Sequence, residues 1–277
     1  MKFIPVDERL AERPGAKILI LGPSGIGKTS LLKTLGEDLL STTLFVDIEA
    51  GDQAVADLQV ACVRPRTWED CRDLACILGG PNPALPPTAA YSKHHFDAVG
   101  TIGDAGRLAT YRVLFVDSLT AASRLSFTHA EQQPESFNER GRKDLRSTYG
   151  LHDRQMISWL NQIQQARGRH VVLVALLERV TDDFNRSDWQ PQIEGRKTSR
   201  ELPGIVDQLV TMQFIDFGDG KPVRAFVCTS PNPWGHPAKD RSGKLDQIEE
   251  PHLGKLIAKL TRKAKPVTNG PAKAVQQ

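Results

Sequence analysis

The sequence predicts an α/β fold with a mainly parallel central sheet flanked by helices. Three observations carry this reading. Ala16–Leu21 (AKILIL), Tyr111–Asp117 (YRVLFVD) and His170–Leu177 (HVVLVALL) are near-continuous apolar runs, as expected of strands buried on both faces. Segments with apolar residues at helical spacing lie between them. The first run ends in a glycine-rich turn that opens a helical pattern, giving strand, turn and helix in succession.

The elements follow in chain order. Ala16–Leu21 is a buried strand. Thr29–Leu40 carries Leu31, Leu32, Leu35 and Leu39 at helix spacing and predicts one helix. Thr43–Ile48 (TLFVDI) is a second strand with acids at its end. Thr67 and Asp70 form a capping-box pattern, opening a helix through Leu78. Cys71 falls on the apolar face of that helix with Trp68, Leu74 and Leu78, as a buried thiol. Gly79–His95, rich in Pro and Gly, reads as a long loop to be ordered by assembly, with His94 and His95 facing solvent. Tyr111–Asp117 is the third strand, and Ser126–Arg146 reads as polar and partly mobile. Leu151–Arg167 is helical through Met156, Ile157, Leu160 and Ile163, closed by Gly168. His170–Leu177 is the fourth strand, and Ile205–Phe214 and Val223–Cys228 supply two more.

The 277 residues are 39% hydrophobic and 25% charged, which suits one soluble domain with tails. Residues 1–15 are expected to form an N-terminal extension, 16–261 the domain, and 262–277 a disordered basic tail. A net charge of +3 is compatible with a nucleic-acid partner without arguing for one. No apolar run approaches the ~20 residues of a membrane span, and Met1–Arg13 lacks a signal-peptide core. The expected location is cytoplasmic, with no membrane partner. Cys62, Cys71, Cys76 and Cys228 include no Cys-x2-Cys pair, so no zinc site is expected.

The chemistry starts at Gly22-Pro23-Ser24-Gly25-Ile26-Gly27-Lys28-Thr29, followed by Ser30. This fits G-x-x-x-x-G-K-[ST], a phosphate-binding loop. Glycines let the backbone curl until several N–H groups face one anion. The following helix is expected to add its positive end. Lys28 would reach the β and γ phosphates of ATP, and the Thr29 hydroxyl would bind Mg2+. Asp117 ends the apolar strand Val113–Val116, the place of the second magnesium-binding acid. A strand-end acid capping the next turn is the plainer alternative. The residue after Asp117 is Ser118, so a base that orients water must come from elsewhere.

Phe45-Val46-Asp47-Ile48-Glu49-Ala50 resembles the strand of RecA-type recombinases that ends in Asp-x-Glu. Asp117-Ser118 resembles the end of their metal-binding strand. By that resemblance Glu49 is the catalytic base. Three further segments occur in order: Pro191-Gln192-Ile193-Glu194-Gly195, Glu201-Leu202-Pro203-Gly204-Ile205-Val206-Asp207, and Ala238-Lys239-Asp240-Arg241-Ser242-Gly243-Lys244-Leu245. Together they are similar to the phage-encoded RecA-core ATPases, short P-loop NTPases some of which are single-strand annealing recombinases. The resemblance covers residues 16 to 247.

It implies a RecA-like, oligomeric ATPase. In such ring and filament proteins a Lys-x-Arg pair reaches the neighbour's γ-phosphate, so Lys239 and Arg241 are the candidate trans residues. A basic surface turn is the alternative. One departure stands out. Relatives end the fourth strand with a polar sensor, whereas this chain has Ala175-Leu176-Leu177 and its first polar residue is Glu178.

Two segments suit single-stranded DNA. Arg140-Gly141-Arg142-Lys143 with Arg146 and Tyr149 is one; Thr181–Arg200, with Trp189, Arg196, Lys197 and Arg200, is the other. Cations follow phosphates and rings stack on bases, although solvated charged faces look the same in sequence. The C-terminal helix with Lys255, Lys259, Arg262 and Lys263 reads as a solvated amphipathic helix. The leading expectation is a DNA-dependent ATPase in phage-type recombination or annealing. A regulatory ATP-binding switch or assembly factor with a protein partner is the alternative. A kinase ranks below both, because no acceptor lid is evident.

Overall fold

Lys17–Gly22 (β1) is buried along its whole length, and its side chains feed two cores. Leu19 and Leu21 enter one cluster; Ile18 and Ile20 enter the other. Successive side chains of a strand point opposite ways, so an all-apolar strand must be covered on both faces. The structure, a computed structural model, describes residues 3–12, 15–101, 105–108, 110–181, 184–185, 187–218 and 220–262.

The other strands are Thr43–Asp47 (β2), Ala61–Val63 (β3), Val113–Asp117 (β4), His170–Thr181 (β5), Ser187–Pro191 (β6), Gln208–Ile215 (β7), Val223–Val227 (β8), Lys239–Asp240 (β9) and Ile248–Glu249 (β10). The helices are Val6–Ala11 (α1), Glu37–Leu40 (α2), Trp68–Gly79 (α3), Lys93–Gly100 (α4), Ala105–Leu108 (α5), Leu119–Gln132 (α6), Leu145–Gln164 (α7), Arg196–Ile205 (α8) and Leu253–Thr261 (α9).

The strand order is β3-β2-β4-β5-β1-β7-β8-β10. From β3 to β7 every pairing is parallel. β8 and β10 close one edge antiparallel. β6 folds back on the end of β5, and β9 pairs with the start of β7. β5 therefore separates β1 from β4, with Gly22 opposite Leu176 and Asp117 opposite Val174. Helices α3, α6, α7 and α8 cover one face through Cys71, Leu119, Met156 and Leu202. Leu31 and Leu32, with Leu253, Leu256, Ile257 and Leu260 of α9, cover the other. The α9 positions are spaced i, i+3, i+4, i+7, one stripe of a helix. That helix closes a core as well as facing solvent.

Several elements differ from the sequence reading. Thr29–Leu40 is a 3-10 turn over Thr29–Thr34 and then the short α2, not one helix. Leu35 and Gly36 are extended between them. The start of α9 meets this break, where Leu253 N–H donates to the Thr34 hydroxyl at 2.8 Å. Gly79–His95 is not all loop, because α4 begins at Lys93 behind a Ser92 cap. His95 does not face solvent freely; its Nε2 pairs with Asp73 at 3.0 Å. Ser126–Arg146 is helical only at its ends, since α6 runs to Gln132 and α7 starts at Leu145, with a 3-10 turn over Pro134–Ser136 between them. Within Thr181–Arg200, β6 pairs back on the end of β5 and α8 begins at Arg196. The Thr67–Asp70 capping box is present as expected. The tail reading falls on residues 263–277, outside the described residues.

Candidate nucleotide site

The loop after β1 curls because Gly25 and Gly27 take φ of 75° and 94°, a region that side chains disfavour. Gly22 is needed for closeness: a Cβ there would lie 2.9 Å from the Met212 carbonyl oxygen on β7. Ile26 is buried in the second core and anchors the loop from below. Lys28 is buried, and its ammonium donates to the carbonyls of Gly22 and Pro23 at 3.0 and 2.9 Å. Burial lowers the Lys28 pKa, with Asp117 and Glu49 opposing that fall. The 3-10 turn that follows spans six residues, so the positive end expected of a long helix is not available here. The groups left to face an anion there would be the loop's backbone donors and Lys28.

Thr29 and Asp117 meet directly, the hydroxyl donating to the carboxylate at 2.5 Å. The fold brings them together by ending β1 and β4 at the same edge, where the ends of parallel strands converge. Burial pushes the Asp117 pKa up to about 6; the Thr29 hydrogen bond opposes the rise, Glu49 adds to it and Lys28 counters it. A buried carboxylate beside a hydroxyl gives two hard oxygen donors, the set that Mg2+ takes. Thr29 and Asp117 therefore fit a magnesium ion that would shield phosphate charge.

Of the two acids ending β2, Asp47 is committed to structure. It is 2% exposed and accepts from Gly51 N–H at 2.9 Å, with Arg64 at 3.4 Å. Glu49 is exposed to solvent, and one of its oxygens accepts the Ser118 hydroxyl. Ser118 also caps α6 by accepting Ala121 N–H at 3.1 Å. Glu49 is thus a neighbour of Asp117 and Lys28, close enough for its charge to act on both. Ser118, read in the sequence only as a missing base, holds the candidate base in place.

β5, the strand between β1 and β4, places Leu176 beside Gly22. Leu176 N–H donates to Thr120 Oγ1 at 3.0 Å, and the Leu176 carbonyl accepts Gln192 N–H at 2.8 Å. Glu178 lies two residues further out, in the hairpin opposite Gln190.

Lys239 and Arg241 are not at this cradle. β9 pairs Asp240 with Gln208, and Gln208 lies beside Ile18, at the opposite end of β1 from Gly22. Lys239 donates to the carbonyls of Pro203 and Val206 at 2.5 and 2.9 Å. Arg241 donates to Asp207 Oδ1 at 2.6 Å and to the Gly204 carbonyl at 3.1 Å. Leu202–Asp207 and Lys239–Leu245, two of the segments that carry the resemblance, are therefore clamped to each other. Asp240 orders its turn by accepting the N–H groups of Ser242, Lys244 and Leu245 at 2.8 to 2.9 Å.

Pro191–Gly195 has a comparable structural role. His152 is fully buried; its Nε2 donates to the Glu194 carbonyl at 2.8 Å, and Nδ1 lies 3.1 Å from Ser126 Oγ. Burial lowers its pKa, with the Glu194 hydrogen bond and Asp153 opposing the fall. Asp153 accepts the Thr198 N–H and hydroxyl at 3.1 and 2.7 Å, fixing the start of α8. No motif in the sequence marks either residue.

A sequence model of the AAA_24 family, described as AAA domain, matches residues 14–242. The chain belongs to that family. AAA_24 membership and the parallel sheet with its glycine loop make this an α/β P-loop ATPase fold, which implies a nucleotide and usually Mg2+. No curated protein matches the AAA_24 chain. Among solved structures it is similar to one named crystal structure of the RadB recombinase, with 15% identity and a TM-score of 0.39 over 78% of this chain and 81% of that one. No helix among the described residues is long and apolar enough to cross a membrane.

Proposed function

We propose that this AAA_24 chain is a RecA-like, Mg2+-dependent ATPase that acts on single-stranded DNA as a head-to-tail homo-oligomer, in phage-type recombination or annealing. The observation that carries the reading is the cluster of Thr29, Asp117, Ser118 and Glu49 beside Lys28. Lys28 and the backbone of Gly22 to Ser30 bind the phosphates of ATP. Thr29 and Asp117 hold the metal. Glu49, oriented by Ser118, takes a proton from the attacking water.

The opposite placement of Lys239 and Arg241 supports a head-to-tail arrangement. Cations at one pole of the sheet can serve only a cradle at the other pole of another copy. In that arrangement they would exchange carbonyl and Asp207 contacts for the neighbour's γ-phosphate.

DNA contact is assigned to the turn before α7 and to α8. Arg140, Arg142 and Arg146 are exposed, and the half-exposed Tyr149 stacks on Phe127 at 4.8 Å. Arg196, Lys197 and Arg200 are exposed on α8. Trp189 is a poorer platform for bases, because Arg179 lies 6.0 Å from its ring and His236 packs against it. An ATPase assay with and without single-stranded DNA tests the reading; a flat response to DNA would remove the DNA part of it.

A second reading, an ATP-binding switch or assembly factor with a protein partner, draws on Leu176. An apolar residue beside Gly22, where a polar sensor is expected, weakens coupling between hydrolysis and DNA. Nucleotide binding with negligible turnover, with or without DNA, would favour it.

A further inference from the structure

β8 sends one side chain onto the phosphate loop. Phe226 of this strand packs in the second core with Ile26 and Met212. Side chains two residues apart on a strand share a face, so Arg224 emerges on that same face just beyond the core. It pairs across the ladder with Phe214. Its Nη1 donates to the Ile26 carbonyl at 3.2 Å. The same nitrogen would lie 2.5 Å from a Cβ built on Gly27. The guanidinium thus rests on the turn immediately before Lys28.

Arg224 is held on the loop by a backbone carbonyl and not by an ion pair. Arg64, Arg72, Arg167 and Arg241 each pair with a carboxylate. Arg224 has no carboxylate partner among the described residues, and its hydrogen bond to Ile26 uses one of five N–H donors. An arginine with free donors, held by a backbone carbonyl against an anion-binding loop, is suited to a phosphate oxygen.

We propose that Arg224 is a same-chain phosphate ligand, joining Lys28 in binding the polyphosphate of the nucleotide. This rests on the nucleotide reading of the loop. It needs no neighbouring subunit, unlike the role assigned to Lys239 and Arg241. It also gives the antiparallel edge a task in the site, since β8 carries the guanidinium and β7 backs Gly22. Replacing Gly27 by any other residue would displace the guanidinium as well as strain the turn.

The test uses the full chain with Mg2+ and ATP, comparing wild type with Arg224→Met, which keeps the stem, and Arg224→Lys, which keeps the charge. Dissociation constants from titration calorimetry, at two salt concentrations, are read beside the melting temperature without nucleotide. Arg224→Met is expected to weaken ATP binding about tenfold or more, the scale of a charge-assisted hydrogen bond, and to reduce its salt dependence. The melting temperature without nucleotide is expected to stay unchanged, and Arg224→Lys to fall between wild type and Arg224→Met. An Arg224→Met affinity within twofold of wild type overturns the proposal. So does a weakening accompanied by an equal loss of melting temperature and no rescue by Lys, which marks a structural role. Wild type that binds no ATP overturns the nucleotide reading itself, and this proposal with it.

Discussion

Ser118 donates its hydroxyl to the Glu49 carboxylate across 69 residues of sequence. The serine is buried and fixed as the cap of α6, so it gives the end of β2 a rigid orienting partner. Glu49→Gln is expected to bind ATP normally and lose about 10²–10⁴-fold in turnover, the usual contribution of a positioned base. Ser118→Ala is expected to lose roughly ten- to a hundredfold, because the base remains but its aim is relaxed. Steady-state kinetics decide it. Normal turnover in Glu49→Gln would mean that the base lies elsewhere.

Asp117 carries a stability cost that follows from its burial. Its carboxyl titrates near 6 rather than the ordinary 3.8. Thr29, Lys28, Glu49 and Asp47 are the groups that act on it. The folded chain keeps this proton where the unfolded chain releases it, so stability without metal falls as pH rises between those values. The difference corresponds to roughly 3 kcal/mol at most. Asp117→Asn is therefore expected to melt higher than wild type at pH 7.5 without ligand. It should gain little from Mg2+ and ATP, whereas wild type gains more at pH 7.5 than at pH 5. A lower ligand-free melting temperature for Asp117→Asn at pH 7.5 would count against this account.

The trans assignment makes a mixing prediction. Lys28→Ala subunits keep Lys239 and Arg241 but lack a working cradle; Arg241→Ala subunits have the reverse defect. Mixtures are expected to hydrolyse ATP faster than the sum of the two alone. Strict additivity would leave the clamp on Asp207 as the whole role of Arg241.

Gly15 offers a test of the fold apart from the chemistry. A Cβ there would sit 1.7 Å from the Arg169 carbonyl oxygen, a backbone atom that also accepts from Lys17. Gly15→Ala is expected to cost about 1–3 kcal/mol, the range for overpacking. The urea midpoint should drop while ATP affinity of the folded protein holds. An unchanged midpoint would show that the β1–β5 junction can yield.

What the sequence revealed, and what it hid, divides by locality. Gly22–Thr29 is legible because the whole cradle is one contiguous turn. Asp117 and Glu49 are legible because a strand end is visible as the end of an apolar run. The partnership of Ser118 with Glu49 was not, since it depends on β2 and β4 lying side by side. Arg224 was hidden for the same reason: it reaches the loop from a late antiparallel strand with no motif around it. His152 and Asp153 carry no signal in the sequence, because their partners, Glu194 and Thr198, come from beyond the β5–β6 hairpin. The helix expected over Thr29–Leu40 failed because its leucines do keep helical spacing, while the arrival of α9 at Thr34 is a tertiary event.

β7 runs from the clamp to the cradle. It begins where Gln208 meets Asp240 and passes Met212 against Gly22. Ladders with β1 and β8 hold it on both sides, and an extended strand advances about 3.3 Å per residue with little give. It acts as a ruler. In a head-to-tail assembly, the spacing from one subunit's cradle to the cations it offers the next is set by a length of strand, so the repeat of the assembly would be written into β7 rather than into any flexible linker.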